Sequence, residues 1–509
     1  MGEVAGYYED KSIFITGATG FMGKVLLCKL LRCCSDLSRI YVLIRPKRGL
    51  DPHQRLAKLM DAHIFKDLSE QNKSKVVLVE GDVTQPRLGL CQEDIDTILL
   101  NVNVFFHSAA TVKFDEDLTL SVQMNVAGTL SALELASKIK DLKAFVHVST
   151  AYCNPHVNHL EEKVYHKDMP YSPREIIDLV REKGDVLNEK NITKELMNGW
   201  PNSYTFTKAI AEKAILQYSH ILPVAIMRPS IVAASWKDPI PGWIDNLNGP
   251  TGVLVGASTG ILQSMYIDVD CIADVVPVDI CINLLTVIPY YLSKLNNINN
   301  NSAISGDEST NSYSLPVFNC TTGTLNPINW KTIESLCHKY AKKYPYQKRF
   351  WYITGSFKTN KVYDRICQVL FHHIPSFIGD GIRVIFGYKP IFRTLICRMT
   401  AAFPSLEYFA CKSWLFSSTE IERILRELST EDKAVFGFDV KDVIWEEFLS
   451  NYVLGARHFV MKEDPSTLDE SRVKLKYFKY MHIFFKILFW FFAFQLIAYI
   501  FVSFYGMIF

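Results

Sequence analysis

Ser12-Ile-Phe-Ile-Thr16 is a short apolar, β-branched run, followed at once by Gly17-Ala-Thr-Gly-Phe-Met-Gly23 and by Lys24-Val-Leu-Leu-Cys-Lys-Leu-Leu-Arg32, whose apolar residues recur at helical spacing. A buried strand, a glycine turn and a helix in this order constrain the fold more than any other stretch, because they open a βαβ unit and therefore a parallel sheet covered on both faces. Gly17 can take a tight turn at positive φ, Gly20 lets the backbone approach a pyrophosphate, and Gly23 allows the helix to pack closely on the strand. The helix N-terminus then faces the anion. Thr16, Gly17, Thr19, Gly20, Phe21, Met22 and Gly23 are the residues expected to line the phosphates of a dinucleotide, with a purely structural glycine turn as the alternative.

The spacing is G-x-x-G-x-x-G, not G-x-G-x-x-G, which points to the short-chain dehydrogenase/reductase variant of the doubly wound fold. Arg39-Ile-Tyr-Val-Leu-Ile-Arg-Pro-Lys-Arg48 ends in cations where an NAD-specific site would carry a carboxylate for the ribose 2′-hydroxyl. Arg45 and Arg48, with Lys47 as a third option, suit a 2′-phosphate, so NADPH is the expected cofactor; a solvated charge run is the bland reading. Val76–Val83 and Val102–Ala110 read as further strands, which sets Asp82 and Val83 against the adenine and leaves Ala109 and Ala110 small enough for the cofactor to pass. His107, alone at a strand end, reads as structural.

The strand Ala144–Thr150 delivers two hydroxyls to the same sheet edge, and Tyr204 and Lys208 share one face of the helical pattern Ser203–Glu212. A phenol with a pKa near ~10 exchanges protons poorly at neutral pH, and a nearby ammonium favours its ionised form. Lys208 is therefore expected to lower the pKa of Tyr204 and to bind the nicotinamide ribose. Thr150, or Ser149 beside it, would hold a substrate carbonyl oxygen that Tyr204 protonates as hydride arrives. Pro229, Ser230 and Ile231, at the exit of the strand Leu222–Val232, are expected near the nicotinamide, and Trp243 in the loop Pro241–Gly249 is expected to form a substrate wall.

These segments, with His147-Val-Ser-Thr-Ala-Tyr152, Pro201–Lys208, Arg228-Pro-Ser-Ile-Val232, Pro241-Gly-Trp-Ile-Asp-Asn246, Phe409-Ala-Cys-Lys-Ser-Trp-Leu-Phe416 and Gly455-Ala-Arg-His458, resemble the alcohol-forming fatty acyl-CoA reductases over nearly the whole chain. Those proteins are extended short-chain dehydrogenase/reductases with a C-terminal sterile-type domain. The resemblance implies reduction of a long-chain or very-long-chain acyl-CoA to a primary alcohol with NADPH, through an aldehyde, with Tyr204 and Lys208 as acid and helper. Two other readings of the same residues are a different membrane-tethered reductase, such as a hydroxysteroid dehydrogenase or an aldehyde-releasing enzyme, and a non-catalytic binder that kept the fold.

The 509 residues, 49% apolar and 13% aromatic, can bury at least one large core, and a net charge of +2 leaves no nucleic-acid footprint. Twelve cysteines without a C-x-x-C pair read as buried reduced thiols, not as a zinc or disulfide framework. Met1–Lys11 carries three acids and no long apolar run, so no leader is expected there. At the other end Ile487–Tyr505 is 19 residues without a charge. As a helix this spans ~28 Å, close to a bilayer core. Lys474, Lys476, Lys479 and Lys486 precede it, which places the body on the cytosolic face of the endoplasmic reticulum or peroxisome, anchored after translation.

The expected architecture is thus α/β: a Rossmann-type doubly wound parallel sheet over 10–350, a smaller helical domain over 355–460 and a membrane anchor over 480–507. The polar stretch 295–316 is expected to be a surface loop, and 355–415 to be helices broken at Pro375, Gly379, Gly381, Pro390 and Pro404 that either pack as a lid or lie at a membrane surface. Residues 416–458 suggest two helices closed by Gly455. Expected partners are the acyl-CoA and the bilayer; a homodimer is left open.

Overall fold

Short runs that are apolar at every position have no polar face to turn to water, so they belong in the middle of a parallel sheet. In the computed structural model, which describes residues 2–305 and 315–508, they do. Ser12–Thr16 (β1), Ile40–Ile44 (β2), Val76–Glu80 (β3), Val102–His107 (β4), Ala144–Val148 (β5), Val224–Pro229 (β6) and Val317–Cys320 (β7) form one parallel sheet in the order β7-β6-β5-β4-β1-β2-β3. Every residue of β1, β2, β5, β6 and β7 is buried, whereas at the edge strand β3 only Val79 is. Phe14, Phe105 and Phe145 are register partners on β1, β4 and β5, with ring centroids 4.8 Å apart in each successive pair. Such aromatic contacts are worth ~0.5–1.5 kcal/mol each beyond their burial.

From β3 at one edge the chain returns to lay β4 against β1, so the strand order reverses there and a crevice opens beyond the carboxyl ends of both. Helix α1 (Phe21–Cys33) follows β1, and helix α2 (Ser203–Tyr218) precedes β6. Helix α3 (Val278–Ser305) is apolar enough over Val278–Leu295 to cross a membrane, but 78% of that window is buried. It is a core helix.

Packing divides the chain into two compact units. One comprises Met1–Trp243, Cys271–Asn329 and Pro404–Phe448 and holds the seven-stranded sheet. The other comprises Ile244–Asp270, Trp330–Phe403 and Leu449–Phe509 and is mainly helical. It contains α4 (Lys361–Gln368), α5 (Ile374–Ile385), α6 (Phe392–Ala401) and α7 (Leu468–Ile508). The helical stretch Pro465–Ile500, which runs from the turn before α7 through most of it, is long and apolar enough to cross a membrane, and none of its best window is buried. This helix is a candidate membrane anchor.

Several expectations are corrected. The stretch 295–316 is not a loop at its start, because the backbone of α3 continues to Ser305; residues 306–314 lie outside the described residues. Pro375, Gly379 and Gly381 do not break the chain's helices. Pro375 sits in the first turn of α5, directly after a wide turn over Val369–His373, where a missing N–H costs little. A Cβ on Gly379 would lie 3.0 Å from the Phe392 ring, so this glycine lets α5 and α6 approach. Residues 416–458 form three helices, Thr419–Glu427, Thr430–Phe436 and Trp445–Gly455, and Gly455 at φ −63° continues into Ala456–Val460. None of the twelve cysteines is in a disulfide, but Cys91 and Cys397 are exposed, contrary to the expectation of burial.

Candidate active site

The glycine loop leaves β1 at the reversal point. Gly17 has φ +81°, and a Cβ there would stand 2.7 Å from Ala109 N and 2.8 Å from Ser108 Oγ, so both conformation and crowding exclude a side chain. At Gly23 a Cβ would meet Gly17 O at 2.2 Å, which fixes how closely α1 follows the turn. Gly20 caps α1 without a side-chain hydrogen bond, which leaves the first amides of the helix for an anion. Phe21 and Met22 are half-buried, and the Phe21 ring stacks on Trp243 at 5.5 Å. Trp243 is only 3% exposed, so it braces the start of α1 and is not the substrate wall expected of it. Thr16 is turned the other way from the expected phosphates: its Oγ1 bonds His107 Nδ1 at 2.9 Å, and His107 Nε2 bonds Thr129 Oγ1 at 3.1 Å. Burial, helped by Lys208, pushes His107 down to about 3, which makes it the neutral structural residue the sequence suggests.

Beyond β2 the cations gather as expected and acquire one more member. Arg45 Nη1 pairs with Asp82 Oδ2 at 2.9 Å, and Asp82 Oδ1 accepts from Thr84 N at 3.0 Å. Burial would raise the Asp82 carboxyl, but those contacts outweigh it and hold the group below its usual range. Arg55, on the helix Pro52–Met60, donates to Arg45 O and, at 3.1 Å, to Thr19 Oγ1 of the loop. Lys47 is pushed below its ordinary value by burial and then by Arg45, Arg55, Arg48 and Lys113. A cation cluster that repels itself this way is stabilised by an anion. Arg55 was not singled out from the sequence, although Asp51-Pro-His-Gln54 carries the capping box that starts its helix. Val83 is buried and Asp82 half-buried just past β3, while Ala109 and Ala110 follow β4 and are half-buried.

At the end of β5 lie Ser149 and Thr150, 2% and 4% exposed, and the Ser149 hydroxyl has no protein partner. The half-buried Tyr204 brings its phenol to the Thr150 hydroxyl, and Lys208 Nζ donates to Val148 O at 2.7 Å. Two faces of α2 are pinned at once. Ser203 Oγ donates to Glu116 O at 2.9 Å, and Thr207 Oγ1 accepts from Asn125 Nδ2 at 2.9 Å. Glu212 takes Arg228 of β6 in a bidentate pair of 2.8 and 2.6 Å with neither side chain exposed. Burial pushes Lys208 down to about 8, against the upward pull of Glu212 and Cys153. Burial also pushes the Tyr204 phenol above the usual tyrosine range, opposed by its bond with Thr150. The expected acidification of Tyr204 by Lys208 is thus absent; in this arrangement the ammonium is engaged by the Val148 carbonyl. Pro229, Ser230 and Ile231 run from the end of β6, where Ala151 N donates to Pro229 O at 2.9 Å and Ser230 N to Cys320 O at 3.0 Å.

An apolar wall adjoins Tyr204 that the strand and helix patterns did not reveal. Phe114 lies 6.0 Å from the Tyr204 ring and 5.6 Å from Phe409, and Tyr152 packs on Phe409, Trp414 and Phe416. Ala151, Leu160 and Ile231 join this cluster. Its signal was Phe409–Phe416, quoted for resemblance but read as part of a separate domain.

The male sterility protein family matches the chain twice, with its NAD-binding part over residues 15–285 and its Sterile part over 371–463. The chain is 37% identical over 488 residues to Fatty acyl-CoA reductase 2 of Bos taurus, covering 95% of this chain and 91% of that one. It is 38% identical over 478 residues to Fatty acyl-CoA reductase 1 of Xenopus laevis, covering 93% and 89%. Among solved structures, the reductase (R) domain of a nonribosomal peptide synthetase from Mycobacterium tuberculosis superposes with a TM-score of 0.57 at 17% identity over 89% of this chain and 95% of that one, a likeness of fold. The matched NAD-binding region makes the cofactor a nicotinamide dinucleotide.

Gly17→Ala puts a side chain at φ +81° and against Ala109 N. The left-handed conformation alone costs ~1–2 kcal/mol, so dinucleotide affinity measured by calorimetric titration should fall about tenfold or more. Unchanged affinity would show that the cofactor does not lie on this turn.

Proposed function

This chain belongs to the fatty acyl-CoA reductases, and from that premise we propose that it reduces a long-chain or very-long-chain acyl-CoA to the primary alcohol with NADPH, through a bound aldehyde and with release of CoA. The observation that carries this reading is the meeting of the Tyr204 phenol with the Thr150 hydroxyl, one helical turn from Lys208, beside the aromatic wall of Phe114, Tyr152 and Phe409. The wall suits an alkyl chain, and the hydroxyl pair suits the carbonyl at its head. Each reduced nicotinamide would supply one hydride when bound, the first cofactor molecule for the thioester carbonyl carbon and a second, after exchange, for the aldehyde left when CoA departs. Thr150, with Ser149 beside it, orients the carbonyl oxygen, and Tyr204 gives that oxygen its proton as negative charge develops. Overall, one acyl-CoA, two NADPH and two protons become one alcohol, one CoA thiol and two NADP⁺. Gly17, Thr19, Gly20, Phe21, Met22 and Gly23 carry the cofactor phosphates, Asp82, Val83, Ala109 and Ala110 the adenosine side, and Lys208, Pro229, Ser230 and Ile231 the nicotinamide side. Thr16 supports the loop through His107.

Preference for NADPH follows from Arg45, Arg48, Lys47 and Arg55, which present guanidinium and ammonium groups where a 2′-phosphate would lie. With α7 as the anchor, the lysines at 474, 476, 479 and 486 support a body that faces the cytosol, and the membrane we propose is that of the endoplasmic reticulum or peroxisome.

Purified protein given NADPH and a panel of acyl-CoAs should yield fatty alcohol; aldehyde alone, or no product, would overturn the reading. Tyr204→Phe should lower turnover by ~10²-fold or more and leave NADPH affinity nearly intact, since a positioned proton donor contributes at least that much. Turnover close to the parent's would remove Tyr204 as the acid.

Arg45→Ala should weaken NADPH far more than NADH in the same binding titration. Equal losses would place the 2′-phosphate elsewhere.

Lys208, pushed down to about 8 by burial, is protonated below that pH and neutral above it. If its ammonium restores the proton on Tyr204, turnover should fall as pH rises through 8, by about tenfold per unit beyond it. Lys208→Arg keeps the charge at higher pH and should remove that alkaline limb at reduced overall rate. A limb unchanged in Lys208→Arg assigns the titration to another group.

A further inference from the structure

The helical stretch Lys361–Ile385 is inside out. Its buried positions are Asp364, Cys367, His372, Ser376 and Asp380, spaced along one face, while its apolar side chains point outward. Phe377 is 66% exposed, Ile385 81% and Phe386 72%, and Val362, Phe371 and Ile382 are each half or more exposed. Most of the inward polar groups are satisfied within the unit, Asp364 by the side chains of Ser264 and Gln368 and the others by backbone. His372 Nε2 accepts from Gln263 N at 2.9 Å, and Asp380 accepts from the amides of Ile391, Phe392 and Arg393 at 2.8, 2.9 and 2.9 Å. In water such a helix would turn the other way.

The charges explain what covers it. Between 361 and 402 stand six cations, Lys361, Arg365, Arg383, Lys389, Arg393 and Arg398, and two acids, Asp364 and Asp380. Both acids are buried, and none of the six cations is. The outer surface is therefore apolar and cationic, with Arg383 over the Tyr388 and Phe392 rings and Arg393 over Phe377. The uncharged core of the stretch, Ile366–Gly379, is 14 residues, too short to span a bilayer and suited to lying in its surface. The same unit grips the base of the apolar helix α7, where Trp351 Nε1 bonds His482 Nδ1 at 3.1 Å and its ring packs 5.8 Å from Phe485. A bilayer entered by α7 therefore begins at the body of this unit.

We propose that α4 and α5 form a second membrane contact, an in-plane element whose apolar face enters the headgroup–acyl boundary of a leaflet containing anionic lipid, with the six cations of residues 361–402, three on α4 and α5 and three on the following turn and α6, at the phosphates. This inference does not depend on the reaction. It is tested on the full chain reconstituted in vesicles of phosphatidylcholine and phosphatidylserine that contain a phosphatidylcholine with a photoactivatable diazirine in its acyl chain. Mass spectrometry should find lipid adducts within 366–386 as well as within α7, the latter serving as the reconstitution control. Phe377→Glu with Ile385→Glu should lower the adducts in 366–386 by about tenfold or more, because two anchoring side chains lose their partitioning, while adducts in α7 and the circular dichroism spectrum stay unchanged. Vesicles without phosphatidylserine should give fewer adducts in 366–386 and as many in α7; equal labelling overturns the anionic-lipid assignment. Absence of adducts in 366–386 of the parent protein, with α7 labelled, overturns the proposal. If amine cross-linking then joins Lys389 to a second copy, the face belongs to self-association.

Discussion

The ion pair of Glu212 and Arg228 has no access to water, and an ion pair in that position is stable only where geometry and supplementary hydrogen bonds are complete. Here they are. Both carboxylate oxygens of Glu212 are engaged by the guanidinium, whose remaining N–H groups donate to Glu161 O and Lys163 O at 3.1 and 2.8 Å. The pair ties α2 to β6, and α2 is the element that carries Tyr204 and Lys208. Removing one partner would strand a buried charge at a cost of ~3–5 kcal/mol, a substantial share of the ~5–15 kcal/mol that keeps a domain folded, so the pair resists rotation or sliding of the helix away from the sheet. The geometry at Thr150 is inherited from this clamp.

That clamp also sets the electrostatics. Glu212 stands one turn beyond Lys208 and supports its positive charge, while burial works against it, and the balance falls near neutrality. His107 and His147 stack at 5.4 Å under the strand tips and are both held neutral by burial, with Lys208 pressing in the same direction. The floor of the crevice therefore carries one adjustable charge among uncharged rings. Tyr204, by contrast, is held strongly protonated.

The sheet was legible because its strands are apolar at every position, and the glycine loop because each glycine answers to a separate steric demand: a positive φ at Gly17 and a backbone carbonyl 2.2 Å from any Cβ at Gly23. What could not be read was anything that depends on distant segments meeting. The aromatic wall joins Phe114 and Tyr152 to Phe409, Trp414 and Phe416, which are hundreds of residues apart in the chain. Trp243 looked like a wall because it lies in a Gly/Pro loop, but its position is decided by a ring on α1 that no local pattern announces. The helical stretch through Pro375 failed for a different reason. Proline breaks a helix only where its N–H was needed, and the wide turn before α5 removes that need. The electrostatic expectation for Tyr204 failed because spacing on a helix shows which side chains share a face, but not which backbone carbonyl will take the ammonium first.

The inverted helix of residues 361–385 follows the same logic from the other side. Amphipathic patterns specify two faces, but not which one meets the protein, and that choice is made by whatever solvent the outer face finds. In this unit the inner face is taken by backbone amides that require acceptors: Asp380 receives three of them at the start of α6, and His372 one from Gln263 and one from Ser264. The first amides of α6 have no acceptor within their own helix, so the polar side chains are drawn inward by local need and the apolar ones are left outside. An acyl thioester and its alcohol both partition into lipid, so a helical unit that rests its apolar face on a leaflet while α7 crosses it would hold the proposed enzyme where substrate is concentrated and product is soluble.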